Sequence, residues 1–461
     1  MANNKLAAVL DHIDRELDHS LARLFDFLRI QSISTDPAFS DACRSAAHHL
    51  ADDLTSMGFA VNVRPTPGHP VVVAKANGAA PHVLFYGHYD VQPVDPLDQW
   101  TNPPFDPRID VLPDGRKCIV ARGACDDKGQ VMTFVEACRA FKAVTGALPL
   151  SITLMIEGEE ESGSKHLFDF VRDNADEFRA DLALVCDTGM WNAQTPAVTT
   201  SLRGLVYEEV RLRCADRDLH SGLFGGAAQN PIRVLAKIIA AIHDGQGRVT
   251  IPGFYDGVQD LPADIKADLA GLNLSPDEFL GQVRLKIPAG ETDRMLIEQI
   301  STRPTCDVNG IIGGYTGEGA KTVIPAEAVA KISFRLVGDQ KPDKIRDAFR
   351  KFVRERIPAD CSADFLNHAA SPAIQLPFDN PALAKARSAL AAEWGKKAVT
   401  VGSGGSIPIV GDFKRVLAMD TLLVGFALDD DRVHSPNEKY DLTSFHKGIR
   451  SWARILAELA G

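Results

Sequence analysis

The chain has 461 residues, 45% of them hydrophobic, enough to build a core in each of two domains of ordinary size. With 61 acidic against 50 basic residues its formal charge is -11, and no lysine/arginine block supplies the electrostatic footprint that nucleic acid requires. No run reaches the ~18 apolar residues of a membrane span, and the eight cysteines are scattered without a C-x-x-C spacing; the expectation is a cytoplasmic chain with reduced thiols, partnered by neither nucleic acid nor membrane.

Residues 5–29 carry apolar positions at helical spacing and predict one helix; residues 40–57, opened by Ser40, predict a second. Short β-rich runs at 71–74, 83–86, 152–156 and 182–186 alternate with helical patterns at 130–144 and 166–174, which argues for an α/β layer. After Leu202-Arg203-Gly204 the texture changes. A strand at 206–212, a glycine-rich loop and a helix opened by Asn230-Pro231 lead into an irregular stretch, followed by strands at 323–330 and 332–337 and a charged helix at 342–357. The α/β texture then returns, with a helix at 381–393, strands at 399–401 and 421–425, and a closing helix at 442–459. This order predicts an α/β domain formed by residues 1–203 and 376–461, with an α+β domain inserted at 204–375.

Five clusters carry the chemistry. Gly87-His88-Tyr89-Asp90 closes an apolar strand, where residues two apart share a face, so Asp90 can accept the second imidazole N–H of a ligating His88. Cys125-Asp126-Asp127-Lys128 follows the run 119–121, and Glu157-Gly158-Glu159-Glu160-Glu161 runs an apolar strand straight into four carboxylates. Asp187 ends the run 182–186, and His434 precedes Ser435-Pro436-Asn437-Glu438. Singly, these read as a polar strand end, an N-cap pair or a solvated acidic loop. Together, four of the five fall at the carboxyl ends of expected strands, where open α/β sheets gather ligands. So many carboxylates in one place without cations would be strongly unfavourable, and two divalent ions remove the problem. Imidazole with carboxylate and no thiolate cluster favours zinc, with manganese or cobalt as substitutes.

In this order, spanning nearly the whole chain, the motifs resemble the dinuclear zinc amidohydrolases that include carboxypeptidase G, aminoacylase, carnosine and nonspecific dipeptidases, and succinyl-diaminopimelate desuccinylase. The resemblance implies a zinc-exopeptidase-like α/β fold, a central mixed sheet flanked by helices, whose inserted domain acts as lid and forms a homodimer. It implies two zinc ions per subunit, with His88 and Asp187 on one, Glu161 and His434 on the other, and Asp126 bridging them. Glu160 matches the general base that takes a proton from the zinc-activated water, Asp90 the partner of His88, and Asp126-Asp127 a cis peptide. In the insert, His220 of Asp218-Leu219-His220-Ser221-Gly222 matches a histidine that reaches across the dimer to the oxyanion, and Arg335 a residue that binds the substrate's terminal carboxylate. Asn309, Lys321, Thr322 and the Gly405-Ser406 pair of Gly404-Gly405-Ser406-Ile407-Pro408 resemble further substrate contacts. One departure stands out: dipeptidase relatives commonly place Arg-Glu before that loop, where this chain has Gly402-Ser403.

Two competing motifs fail. A nucleophile elbow around Ser403 needs glycine where Val401 stands, and a phosphate loop at 317–322 has Ala320 in place of its last glycine. The expected reaction is metal-dependent hydrolysis of the amide bond of a dipeptide or similar small peptide. An N-acyl- or N-carbamoyl-amino-acid amidohydrolase is the alternative, since the same metals serve every such substrate; a metal-binding relative without catalysis is the other. The large insert and the run from Asp218 to Gly226 resemble the dipeptidase branch.

Overall fold

The computed structural model describes residues 2–403 and 407–461. The chain forms two compact units, one from Met1–Thr200, Leu376–Val401 and Asp412–Gly461, the other from Ser201–Gln375 and Gly402–Gly411.

The first unit is built on a mixed sheet. Its strands lie in the order Ala60–Arg64, Val71–Ala76, Ser151–Glu157, His82–His88, Leu182–Val185, Thr421–Leu423 and Ala197–Leu202. The first two pairings are antiparallel, whereas His82–His88 runs parallel to both its neighbours. Parallel strands need cover on both faces, and the residues Val83 to Tyr86 and Ala183 to Val185 are accordingly fully buried. The helix Lys128–Thr145 is buried on nearly every side, and Phe134 on it stacks on Phe85 of the sheet with centroids 3.7 Å apart. Trp452, from the closing helix Leu442–Ala460, meets both rings edge-on at 5.9 and 5.3 Å. This is the mixed sheet flanked by helices that the family resemblance implies.

Three parallel strands therefore end on the same side, and they deliver His88, the Glu157 to Glu161 segment and Asp187 there. The fourth expected strand end differs. The strand Lys117–Val120 belongs to a separate antiparallel sheet with Arg108–Val111 and Lys439–Asp441, so Asp126 arrives on a loop leading into the helix Lys128–Thr145.

Two expectations on elements are corrected. Residues 5–29 form two helices, Ala2–Arg15 and Leu17–Leu28, because the backbone leaves the helical range at Glu16 (φ -97°, ψ 8°); both helices pack on the helix Lys128–Thr145, the first also on the closing helix and the second also on the helix Ser40–Ser56. The strands expected at 323–330 and 332–337 are instead Val323–Ile324 and one continuous strand, Glu327–Leu336. The ladder breaks at Pro325, which has no N–H to give, while Lys331 merely takes an outward place in the alternation.

The second unit holds a four-stranded antiparallel sheet in the order Thr305–Gly313, Glu327–Leu336, Gly204–Arg213 and Ser362–Ser371. Val206, Val210 and Leu212 alternate with outward residues and pack with Phe334 and Phe349 into its core. Asn230 caps the helix Pro231–Ala240 by accepting the Ile232 N–H at 2.9 Å. Glu208 points into this core and is fully buried, and Arg346 and Arg350 satisfy it from the helix Pro342–Arg354 at 3.1 and 2.8 Å. Among the described residues no helix is long and apolar enough to cross a membrane.

Candidate metal centre

Two groups of side chains place their donor atoms within 4.8 Å of one another: His88, Asp126 and Asp187, and Asp126, Glu161 and His434. Asp126 belongs to both. Its Oδ1 lies 3.1 Å from His88 Nε2 and its Oδ2 2.9 Å from His434 Nε2, so the carboxylate spans the two groups with one oxygen each. His434 Nε2 also lies 3.2 Å from Glu161 Oε2. The peptide bond between Asp126 and Asp127 is cis.

The surroundings orient these donors. Asp90 stands 3.3 Å from His88 Nδ1 with one carboxylate oxygen, leaving Nε2 for the centre, and its oxygens also accept the N–H groups of Glu160 and Glu161 at 3.3 and 3.0 Å. One buried carboxylate thus holds the histidine and the acidic turn together. Gln92 Nε2 donates to Glu161 Oε2 at 2.7 Å, and Asp127, fully buried, accepts the His88 N–H at 3.2 Å.

Charge decides what the group accepts. Burial pushes the Asp187 carboxyl up to about 7, with Asp126 nearby adding to the rise, and burial likewise raises Glu160. Hydrogen bonds to Asp126 and then Glu161 lift His434 to about 10. Burial opposes protonation of His88, yet Asp126 and Asp90 hold it well above the ordinary histidine value. With the carboxylates of Asp126, Glu161 and Asp187 gathered around only two imidazoles, the cluster is short of positive charge. The imidazole nitrogens and the carboxylate oxygens beside them are a donor set whose chemistry fits a divalent metal ion.

Sequence reading missed the support beneath Asp126. Glu438, fully buried, accepts from Arg122 Nη1 at 2.6 Å and from the N–H groups of Gly123, Cys125 and Asp126 at 3.1, 3.0 and 3.1 Å. Arg122 in turn lies over the Trp100 ring at 5.4 Å. The one available signal was a glutamate four positions after His434. Lys128, also fully buried, points away from the centre and donates to the Phe27 and Ile30 carbonyls at 3.1 and 2.7 Å.

The remaining described candidates belong to the second unit. His220 pairs with Val323 across a short antiparallel ladder, which sets it beside Lys321 and Thr322, and its Nδ1 accepts the Gly222 N–H at 3.0 Å. Asn309 is the extra residue of a β-bulge, since Val308 faces Ile332 and Gly310 faces Lys331, and it is exposed. Arg335 is half-buried opposite Leu205 and Thr305, and no hydrogen bond or ion pair engages it among the described residues. Arg203 is near enough that its guanidinium is held below its usual value, first by burial and then by the Arg335 charge, and its Nε is buried without a partner. Gly405 and Ser406 lie outside the described residues.

The model of Peptidase family M20/M25/M40 matches residues 84–458. The chain belongs to this family. It is 30% identical to the Cys-Gly metallodipeptidase of Schizosaccharomyces pombe over 97% of each chain, and 28% identical to the Beta-Ala-His dipeptidase of Homo sapiens over 99% of this chain and 93% of that one. A solved M20 family metallo-carboxypeptidase of Sulfolobus solfataricus superposes with a TM-score of 0.77 at 30% identity, covering 96% of this chain and 99% of the other. These relatives thus match nearly the whole length of the chain.

Proposed function

We propose that the protein is a dinuclear metallodipeptidase that hydrolyses the amide bond of dipeptides or similar small peptides. The observation that carries this reading is the pair of donor groups sharing one carboxylate, Asp126, at the end of the parallel strands. Its similarity to a Cys-Gly and a Beta-Ala-His dipeptidase over nearly the full chain favours small peptides over acyl amino acids.

In this reading His88 and Asp187 would hold one ion and Glu161 and His434 a second, with Asp126 available to both, and zinc would suit such a set. Bound there, two divalent ions would lower the pKa of a water and polarise the substrate carbonyl. Glu160, raised by its burial, takes the proton of the attacking water and returns it to the leaving amine. Asp90 keeps the His88 ring turned and the Glu160 turn in place. His220 contributes an N–H to the developing oxyanion from a second copy of the chain, which makes the working form a homodimer. Arg335 binds the substrate's terminal carboxylate. Two guanidiniums, Arg335 and Arg203, with Asp307 the counter-charge that acts on Arg203, leave an excess of positive charge suited to it. Asn309, Lys321, Thr322, Gly405 and Ser406 complete the substrate contacts, and the chain works in the cytoplasm.

The deciding assay offers the metal-loaded protein a mixture of dipeptides, β-alanyl dipeptides and N-acetyl amino acids and follows products by mass spectrometry. Cleavage confined to dipeptides is expected. Selective deacylation would move the assignment to an amidohydrolase of acyl amino acids.

A further inference from the structure

Cysteines 43, 118, 125, 138, 186 and 306 are buried, whereas Cys214 and Cys361 are each partly exposed. The strands Gly204–Arg213 and Ser362–Ser371 pair antiparallel with Ser362 opposite Arg213, so one step further along that register Cys361 faces Cys214. Antiparallel partners keep their Cα atoms about 4.5–5.5 Å apart, inside the ~4.4–6.8 Å that a disulfide bridges. The side chains share a face as well. Val210, Leu212 and Cys214 on one strand and Ala363 and Phe365 on the other pack on the same core, and Cys361 continues the second series by alternation. The Cys214 thiol is pushed up to about 12, first by burial and then by its hydrogen bond with Cys361.

We propose that Cys214 and Cys361 form a reversible oxidation site that closes to an intrachain disulfide by exchange with a low-molecular-weight disulfide. Cys361, next to the turn in which its N–H bonds the Pro358 carbonyl, attacks first. Its thiolate sulfur bonds to one sulfur of the reagent, the reagent's S–S bond breaks, and one small thiolate leaves. Cys214 gives its proton to solvent and attacks the Cys361 sulfur of the mixed disulfide, releasing the second small thiol. Two protein thiols are oxidised and one small disulfide is reduced to two thiols, so electrons and protons balance. The new bond ties the edge strand Ser362–Ser371 to its neighbour and closes the chain between 214 and 361, which constrains the unfolded state and stabilises the second unit. It also anchors the base of the His220 turn, since the Cys214 N–H donates to the Ala326 carbonyl at 2.9 Å while Asp218 accepts the Ala326 N–H at 2.9 Å.

The test incubates reduced full-length protein with oxidised glutathione and reads intact mass, a peptide map made without reductant, and the thermal unfolding curve. The expected product has lost two hydrogens, retains no glutathione, yields one cross-linked peptide pair containing Cys214 and Cys361, and unfolds at a higher temperature until dithiothreitol is added. Cys214→Ser keeps a stable glutathione adduct on Cys361, because no second thiol can displace it. Stable adducts on the wild-type chain, a cross-link through any other cysteine, or an unmodified chain overturns the proposal. If the serine variant fails to fold, the wild-type peptide map alone still decides.

Discussion

Glu438 is the test of how the Asp126 loop is held, and Glu438→Gln is the perturbation that keeps its shape while removing its charge. The carboxylate takes hydrogen bonds from Arg122, Gly123, Cys125 and Asp126, two on each oxygen. An amide has one oxygen and one NH2, so whichever way glutamine turns, its NH2 faces two donors. Arg122, only 1% exposed, then loses the buried counter-charge 2.6 Å away. Orphaning a buried ion costs about 3–5 kcal/mol, and the lost hydrogen bonds are part of the same contacts rather than an addition to them. For a unit this large the unfolding midpoint moves by ~2 °C per kcal/mol, which puts the expected fall at roughly 6–10 °C. Because the loop positions Asp126, the ligand proposed above, metal affinity is expected to fall as well, by ~10–100-fold. Scanning calorimetry of the metal-free chain and competition with a chromophoric chelator read the two effects separately. A midpoint within about 1 °C of wild type, together with unchanged affinity, would refute the reasoning.

Glu160→Gln lowers kcat by about 10²–10⁴ while metal content, measured by atomic emission, stays at the wild-type level; near-normal turnover removes Glu160 as the base. Mixed with a His220→Ala chain under conditions of subunit exchange, it recovers part of the lost activity, and failure of every mixture to recover would show that His220 does not act across a dimer. Arg335→Ala reduces kcat/KM for a dipeptide by ~10–100-fold, the loss of a charge-assisted hydrogen bond, but leaves a C-amidated dipeptide unaffected; equal losses on both would exclude carboxylate recognition. His434 has a folded value of about 10 against an ordinary 6.5, so its stabilising effect is complete below 6.5 and is lost as pH rises toward 10; Asp187, raised to about 7, acts in the same sense at lower pH. Metal-free protein therefore loses thermal stability across that window. Metal loading, which needs the imidazoles neutral, releases protons and flattens the profile. A metal-free midpoint independent of pH over this range counts against the charge assignment.

How far the chain could be read without its structure follows from the range of each interaction. His88, Glu160, Glu161 and Asp187 stand where apolar strands stop, and strand periodicity is a local property, so the α/β class and the positions of these acids were legible in the residues themselves. The family resemblance rests on the same short motifs. Only the tertiary structure could decide that Asp126 places one oxygen toward each histidine, because that depends on a loop held by Glu438, whose bond to Arg122 joins positions 316 apart in sequence. The same holds for the separate sheet that brings Lys439–Asp441 beside Lys117–Val120, for the bulge that turns out Asn309, and for the register that sets Cys214 opposite Cys361. Spacing along the chain records which residues share a face of one element. Which elements meet, and with what register, is set by packing over the whole core, and no local pattern encodes it.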